Sequence, residues 1–333
     1  MKMHEEPTGP DLFGGLERAL LIAGAIVIAM SFVYSFFRSD IALVDTIVTD
    51  WIHQALMVTG AALCFVGAAR NPRERWAWWL FGVGLASYAA GDIVWALVFA
   101  DIQPAPQTSI SDVLWLLWYP CAIAGLVALL RARVRHIAVP EIVDGVVLGV
   151  VIATAALIFV FFPVIAEAHA PSLAVAVSLS YPIGDILLIG SVVAVVSILG
   201  WRPGWSWSLL SIGLIVNGVA DVLYTLQVIH GTYADGTWIH TLPPLAAWLI
   251  GWASLIAAPL VETKHDPTGW GNTVVPIAIF VVAICIEVAS ILHLYHQEFT
   301  TTVKLLVIVA LALGIVRTVL VPLTQRNAPE HDS

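Results

Sequence analysis

The stretch LAVAVSLSYPIGDILLIGSVVAVVSIL, residues 173–199, contains a single charged residue, Asp185. At about 1.5 Å per residue, a helix of this length exceeds the bilayer hydrocarbon core of about 30 Å. Hydrophobic residues make up 60% of the 333-residue chain and charged residues 11%, and the mean hydropathy is +0.93. Most of the surface is therefore expected to face lipid, which predicts an all-α, polytopic transmembrane helical bundle.

Apolar segments of this kind recur ten times along the chain. The predicted spans are 16–37, 51–69, 76–100, 112–130, 141–163, 173–199, 205–229, 241–260, 273–295 and 302–323. Polar tails at 1–15 and 324–333 flank the transmembrane domain, 16–323. With the N-terminus inside, twelve of the fourteen Lys and Arg residues lie on the cytoplasmic side, and only Arg38 and Lys304 lie outside. This asymmetry predicts a multi-pass protein of the bacterial cytoplasmic membrane with both termini in the cytoplasm.

An internal repeat emerges when the chain is aligned with itself at an offset of 129 residues. The alignment pairs Gly84 with Gly213, Asp92 with Asp221, and Trp95 with Tyr224. It predicts two parallel copies of a unit of about four helices, at about 51–163 and 173–295.

Carboxylates within the spans are the strongest functional signal. Asp92, Asp185, Asp221 and Glu287 are predicted at similar depth. Because an Asp near a helix centre costs about 2.5 to 3.5 kcal/mol on insertion scales, these acids should face the bundle interior or water. Tyr88, Asn217 and Tyr181 precede Asp92, Asp221 and Asp185, respectively, by four residues, a spacing at which helical side chains meet. The candidate cavity residues are Asp92, Asp185, Asp221, Glu287, Tyr88, Tyr181, Asn217 and Asp112.

Three roles remain open for these acids: interhelical clamps without a ligand, a cavity for a small molecule or ion that opens to the outside, and proton or ion translocation. Local signals add detail around them. Ser111 and Asp112 precede an apolar run and predict a helix N-cap. Pro182 predicts a kink or short break beside Asp185. Tryptophans near the predicted interfaces, among them Trp78 and Trp207, predict an aromatic belt.

No cofactor or metal site is predicted. Cys64, Cys121 and Cys285 lie in apolar spans without CxxC spacing, which favours helix packing. His53, His169, His230, His240, His293 and His296 lie at or near the predicted outer face. His293 and His296 share an i, i+3 spacing but have no identifiable third ligand, and no histidine pair lies deep enough for haem. No basic stretch is long enough to indicate a nucleic-acid partner.

Three short motifs carry a family resemblance. They are AGDIVW at 90–95, SISDVLW at 109–115 with YP at 119–120, and YPIGDILL at 181–188. They resemble the N-terminal multi-span membrane region found ahead of GGDEF or EAL domains in bacterial cyclic-di-GMP signalling proteins, and ahead of some sensor kinases. The resemblance covers about residues 50–320 and implies a region that senses a signal and passes it to a cytoplasmic output. Because the chain contains neither a GGDEF nor an EAL sequence, no cyclase or phosphodiesterase activity carries over.

The resulting prediction is a non-enzymatic sensory module whose polar cavity opens outward and which acts through a cytoplasmic signalling protein or a homo-oligomer. The first alternative is a transporter or permease, against which the sequence shows no cytoplasmic acid–base pair to form an inner gate. The second is an intramembrane aspartyl protease using the pairs Gly91-Asp92 and Gly184-Asp185. The fuller GxGD pattern is missing, since Ala89 and Pro182 stand where its first glycine belongs.

Overall fold

The computed structural model describes residues 15–100, 102, 106, 108–134, 149, 173–199, 203–229, 231–234, 236–256, 308 and 312. Nine α-helices occur in these residues: α1 Gly15–Tyr34, α2 Ala42–Thr46, α3 His53–Arg70, α4 Arg75–Val94, α5 Ile110–Leu116, α6 Trp118–Arg133, α7 Leu173–Ile198, α8 Trp205–Ile229 and α9 Leu242–Leu255. Two π-helical segments, Ile47–Ile52 and Trp95–Phe99, and a 3-10 helix, Trp238–Thr241, extend α3, α4 and α9. The predicted all-α class is confirmed for this part of the chain.

Five helices in the described ranges are long and apolar enough to cross a membrane: Ala42–Arg70, Arg75–Phe99, Ile110–Arg133, Leu173–Ile198 and Trp205–Val228. They correspond to five of the ten predicted spans, and their length and composition fit an integral membrane protein. The span predicted at 241–260 corresponds to the 3-10 helix and α9. The spans at 141–163, 273–295 and 302–323, both tails and Glu287 fall outside the described residues, apart from single positions.

Six of the nine α-helices form a closed ring in which each contacts the next: α3 with α4, α4 with α6, α6 with α7, α7 with α8, α8 with α9, and α9 with α3. Helix α1 lies beside α9 and the 3-10 helix. Buried apolar side chains fill most of the interior of the ring. Its largest fully buried apolar side chains include Trp78, Phe81, Trp118 and Leu188.

Small residues bring α3 and α9 close together. A Cβ atom on Gly60 would lie 2.6 Å from the Ala247 carbonyl oxygen, and one on Gly67 would lie 2.6 Å from the Ser254 carbonyl oxygen. Neither distance is compatible with a side chain, so both glycines allow backbone-to-backbone packing, as in many membrane helix pairs. The hydroxyl of Ser254 donates to the Leu63 carbonyl at 2.9 Å and joins the same two helices.

Of the two outcomes predicted at Pro182, the short break is not observed, and the kink stays a prediction. Helix α7 runs without interruption from Leu173 to Ile198, with Pro182 buried inside it. Proline removes only one N–H from the helical ladder, and the remaining bonds and the neighbouring helices preserve the helix.

Candidate functional site

The two ends of the bundle differ in polar composition. We call one the histidine end, marked by His53 and His240, and the other the arginine end, marked by Arg70 and Arg133. Toward the histidine end, side chains from α4, α5, α6, α7 and α8 form a hydrogen-bonded group that we call the polar cluster. Its members are Asp92, Asp112, Trp115, Tyr119, Tyr181, Asp185, Asn217 and Asp221.

Helices α5 and α6 supply the central residues of this cluster. Asp112, Trp115 and Tyr119 follow one another at spacings of three and four residues, so they share a face. Trp115 Nε1 donates to Asp92 Oδ1 on α4 at 2.7 Å. The Tyr181 hydroxyl on α7 donates to Asp112 Oδ1 at 2.8 Å, and Tyr119 donates to Asp185 on α7 at 3.0 Å. Thus α7 donates one hydrogen bond to the α5–α6 segment and accepts one from it.

Asp112 is held in place by the cap of α5. The N-cap is Ser109, two residues before the predicted cap at Ser111. Ser109 Oγ accepts from the Ser111 N–H at 3.2 Å, and Asp112 Oδ2 accepts from the Ser109 N–H at 2.7 Å. The predicted cap lay two residues too late because the acid of a capping box stands three residues after the cap, inside the helix. One oxygen of Asp112 therefore caps α5, and the other binds Tyr181.

Asp185 and Asp221 meet at one hydroxyl group. The Tyr119 oxygen lies 3.0 Å from Asp185 Oδ1 and 3.1 Å from Asp221 Oδ2. A tyrosine hydroxyl has a single proton, so its contact with the second carboxyl is a hydrogen bond only if that carboxyl carries a proton. Asp221 Oδ2 also accepts from Asn217 Nδ2 at 3.1 Å. One carboxyl of the pair therefore has to carry a proton if both contacts with Tyr119 are hydrogen bonds.

Both Gly-Asp pairs have a steric explanation. A Cβ atom on Gly91 would lie 2.7 Å from the Trp115 ring, and one on Gly184 would lie 2.5 Å from the Tyr119 ring. In each pair the glycine makes room for an aromatic ring whose polar atom reaches the following aspartate. The motifs that carry the family resemblance are thus the places where helices pack around the cluster.

The predicted pairs at i, i+4 have mixed outcomes. Asn217 does bond to Asp221, but Tyr181 bonds to Asp112 on another helix. In the described part of the chain no hydrogen bond joins Tyr88 to Asp92, although Tyr88 lies within electrostatic range of Asp92, Asp185 and Asp221.

His53 is the residue whose contact with the cluster the sequence did not predict. Its Nδ1 lies 3.0 Å from the His240 carbonyl oxygen, and its Nε2 lies 3.4 Å from Asp92 Oδ2. The π-helical segment Ile47–Ile52 ends immediately before His53, and Trp95–Phe99 begins three residues after Asp92. Such segments are frequent at functional sites. The only sequence signal was the excess of histidines near the predicted outer face.

A small pocket opens beside His53. Its lining residues include Tyr34, Thr49, His53, Thr237 and His240, and its cavity volume is about 20 Å³. That is room for about one water molecule. The predicted lining of an outward cavity by Asp92, Asp185 and Asp221 stays a prediction. Among the described residues, His53 lines this pocket and also contacts Asp92 of the polar cluster.

No protein-family model, curated protein or solved structure matches this chain. The chemistry of the site therefore has to be inferred from its contacts. Among the described residues, no three His, Cys, Asp or Glu side chains converge as metal ligands would. Asp92 and Asp185, the two acids of the aspartyl-protease hypothesis, bond to different side chains, Trp115 and Tyr119, and that alternative stays a prediction. The arrangement is suited to holding and moving protons between fixed donors and acceptors.

The arginine end contains a buried ion pair. Arg133 Nε and Nη2 donate to the two carboxylate oxygens of Glu74, both at 2.8 Å, and the two side chains are 0% and 2% exposed. Trp78 Nε1 donates to Glu74 Oε2 at 2.9 Å. Glu74 occupies the N-cap position of α4, and Arg133 is the last residue of α6, so each charge is opposite in sign to the partial charge of its helix terminus.

This pair corrects two sequence-based expectations. First, an acid–base pair does exist at the end predicted to be cytoplasmic, and it was missed because 59 residues separate its members. Second, Trp78 and Trp207 are 0% and 2% exposed and so do not belong to an aromatic belt. Their rings lie 5.7 and 5.2 Å from the Arg133 guanidinium carbon, where they provide cation–π contacts that help to keep a buried charge.

Proposed function

We propose that this protein is a non-catalytic sensory module of the bacterial cytoplasmic membrane, with its histidine end outside, that acts through a cytoplasmic partner. The observation that carries the proposal is the α5–α6 face, on which Asp112, Trp115 and Tyr119 each bond to another helix. A change at the pocket beside His53 acts on Asp92, and through Trp115 on this face. Repositioning one segment then alters contacts with α4, α7 and α8 together.

The sequence in which the helices contact one another around the ring supports the proposed duplication. At an offset of 129 residues, α3, α4 and the α5–α6 segment correspond to α7, α8 and the 3-10 helix with α9. Each contact in one half then has a counterpart: α3–α4 with α7–α8, α4–α6 with α8–α9, and α6–α7 with α9–α3. A parallel duplication produces this twofold pattern.

The resemblance to the membrane regions of GGDEF and EAL proteins adds support for a signalling role. Six of the eight members of the polar cluster lie within or next to the motifs at 90–95, 109–120 and 181–188. These motifs therefore contribute the polar side chains of the cluster as well as apolar helical segments. We infer that the output is a separate cytoplasmic protein or a second copy of this chain.

Crosslinking in cells, followed by purification and mass spectrometry, tests this function. The native chain is compared with an Asp185→Asn, Asp221→Asn double variant and with Asp50→Asn, an exposed acid near the histidine end. We expect a cytoplasmic cyclase, phosphodiesterase or kinase to be recovered with the native chain and with Asp50→Asn, in an amount that the double variant changes by several-fold. Recovery of no specific partner by a folded native chain contradicts the sensory function.

The Glu74–Arg133 pair favours a second candidate, a proton-coupled transporter in which this pair forms an inner gate. Acidic residues near the middle of the membrane with a closed ion pair below them are expected in such proteins. Reconstitution in liposomes containing a pH-sensitive dye distinguishes the two candidates. Proton or solute flux that is lost in Asp92→Asn would favour transport, whereas tight liposomes support the sensory module.

A further inference from the structure

We propose that His53 and Asp92 form a proton-binding site that is supplied from outside through the pocket beside His53. This inference rests on the proposed function for its orientation and deepens it, because it names the proton as the ligand of the sensory site. It is carried by the hydrogen-bonding pattern around His53, by the size of the pocket, and by the contact that Asp92 makes with Trp115.

The hydrogen-bonding pattern requires a proton between the two side chains. A carbonyl oxygen only accepts, so the contact of 3.0 Å with the His240 carbonyl places a hydrogen on His53 Nδ1. In neutral imidazole the other nitrogen, Nε2, then presents a lone pair. That nitrogen faces Asp92 Oδ2 at 3.4 Å, and this oxygen is buried and has no hydrogen-bond partner among the described residues. Two acceptors would face each other unless a proton is bound by the pair.

The pocket provides access for water and excludes larger ligands. Its cavity volume of about 20 Å³ holds about one water molecule, and hydroxyl-bearing residues such as Ser31, Thr49 and Thr237 line it. Thr237 Oγ1 is buried and has no hydrogen-bond partner in the part of the chain that the structure describes, so a water in the pocket has a group to bind. A proton carried by such a water reaches the imidazole of His53, which is 15% exposed.

The other charged and titratable groups around the pocket are already paired with one another. Tyr34 donates to Asp45 at 3.1 Å, and Arg38 forms an ion pair with the same carboxylate. The Tyr233 hydroxyl lies 3.0 Å from His240 Nε2. The titratable groups that line the pocket with His53 are therefore Tyr34 of α1 and His240 of the α8–α9 connection, and Asp92 of α4 lies against the other ring nitrogen of His53. Among them, Asp92 alone directs an unpartnered carboxylate oxygen at the ring.

Protonation at this pair changes a bond inside the cluster. The second oxygen of Asp92 accepts from Trp115 Nε1 at 2.7 Å, a short bond for a neutral donor. A proton shared with His53 withdraws negative charge from Asp92 and weakens its attraction for the indole N–H. The site thereby transmits external proton concentration to the α5–α6 segment.

The indole ¹⁵N–¹H resonance of Trp115 reports this step directly. The full chain is labelled at tryptophan, placed in lipid nanodiscs and titrated, and the resonance is assigned with Trp115→Phe. We expect a single step in the native protein as the pH is lowered and the pair binds its proton. The step should disappear in His53→Gln and in Asp92→Asn. It should remain in His240→Gln, because the backbone carbonyl of residue 240 binds His53.

A Trp115 resonance that does not move in the native protein overturns the proposal without any variant. So does a step of the same midpoint and size in folded His53→Gln. The titration uses the purified chain alone, so its result is separate from the search for a partner. A step without a partner in cells supports the proton site and contradicts the sensory role, whereas a partner without a step supports signalling and contradicts the proton as ligand.

Discussion

Gly184 provides the space that the Tyr119 ring occupies. A Cβ atom on residue 184 would lie between 2.5 and 2.7 Å from three ring carbons, so α6 and α7 can approach in this way only when residue 184 has no side chain. The hydroxyl at the far end of the same ring reaches Asp185 and Asp221. Packing and hydrogen bonding at this point are therefore one structural unit.

Replacing Gly184 with alanine is predicted to separate the two helices and to remove Tyr119 from the acids. Overpacking of this kind costs about 1 to 3 kcal/mol, and we expect the free energy of unfolding in detergent to fall by that amount. The matched control is Gly190→Ala on the same helix, where a Cβ atom would lie an ordinary 3.6 Å from the nearest atom. A loss of equal size in both variants would show that helix α7 is merely intolerant of alanine.

Tyr119→Phe tests the hydroxyl without changing the packing of the ring. It leaves Asp185, which is 3% exposed, without its tyrosine donor, and an unsatisfied buried group costs about 1 to 3 kcal/mol. Tyr181→Phe removes a bond to Asp112, but that acid keeps its bond to the Ser109 backbone. The unfolding free energy should therefore fall more for Tyr119→Phe than for Tyr181→Phe. The reverse order would contradict the central position of Tyr119.

The spans were predictable because hydropathy is a local property of the sequence. Prediction and structure agree within one residue for 76–100, observed as Arg75–Phe99, and for 173–199, observed as Leu173–Ile198. The helix predicted to begin at residue 51 begins at Ala42. Asp45 and Asp50 precede the predicted start, but on a helix that continues beyond the hydrocarbon core such acids can face solvent.

The partners of the acids were not predictable from the sequence, since they depend on which helices are neighbours. Trp115 and Asp92 are 23 residues apart, Tyr119 and Asp185 are 66 apart, and His53 and His240 are 187 apart. Position inside an apolar span identified the acids, and spacing along one helix identified the bond between Asn217 and Asp221. It gave the wrong partner for Tyr181, because a long side chain on a packed helix reaches the adjacent helix.

Cysteine labelling is predicted to show that the histidine end faces outward. Ala234 and Pro72 are exposed and lie at the histidine and arginine ends. In intact cells, a membrane-impermeant thiol reagent should label Ala234→Cys and leave Pro72→Cys unlabelled until the cells are opened. The native chain measures the background, to which the buried Cys64 and Cys121 should contribute little. The opposite labelling pattern would invert the proposed orientation and with it the external source of protons.

The Glu74–Arg133 pair is predicted to stabilise the arginine end strongly and to depend on both partners. Glu74→Gln leaves a fully buried guanidinium without a countercharge, and breaking a buried pair in this way costs about 3 to 5 kcal/mol. A Glu74→Leu, Arg133→Met double variant removes both charges and should recover much of that loss, since apolar side chains need no partner. Unfolding in detergent measures both effects.

Asp45→Asn at the exposed Arg38–Asp45 pair is the control and should change stability by less than about 1 kcal/mol. If the double variant also opens liposomes to protons, the pair is a gate as well as a structural contact. If Glu74→Gln lowers the free energy of unfolding no more than Asp45→Asn does, water reaches the arginine end and the ion pair does not close it.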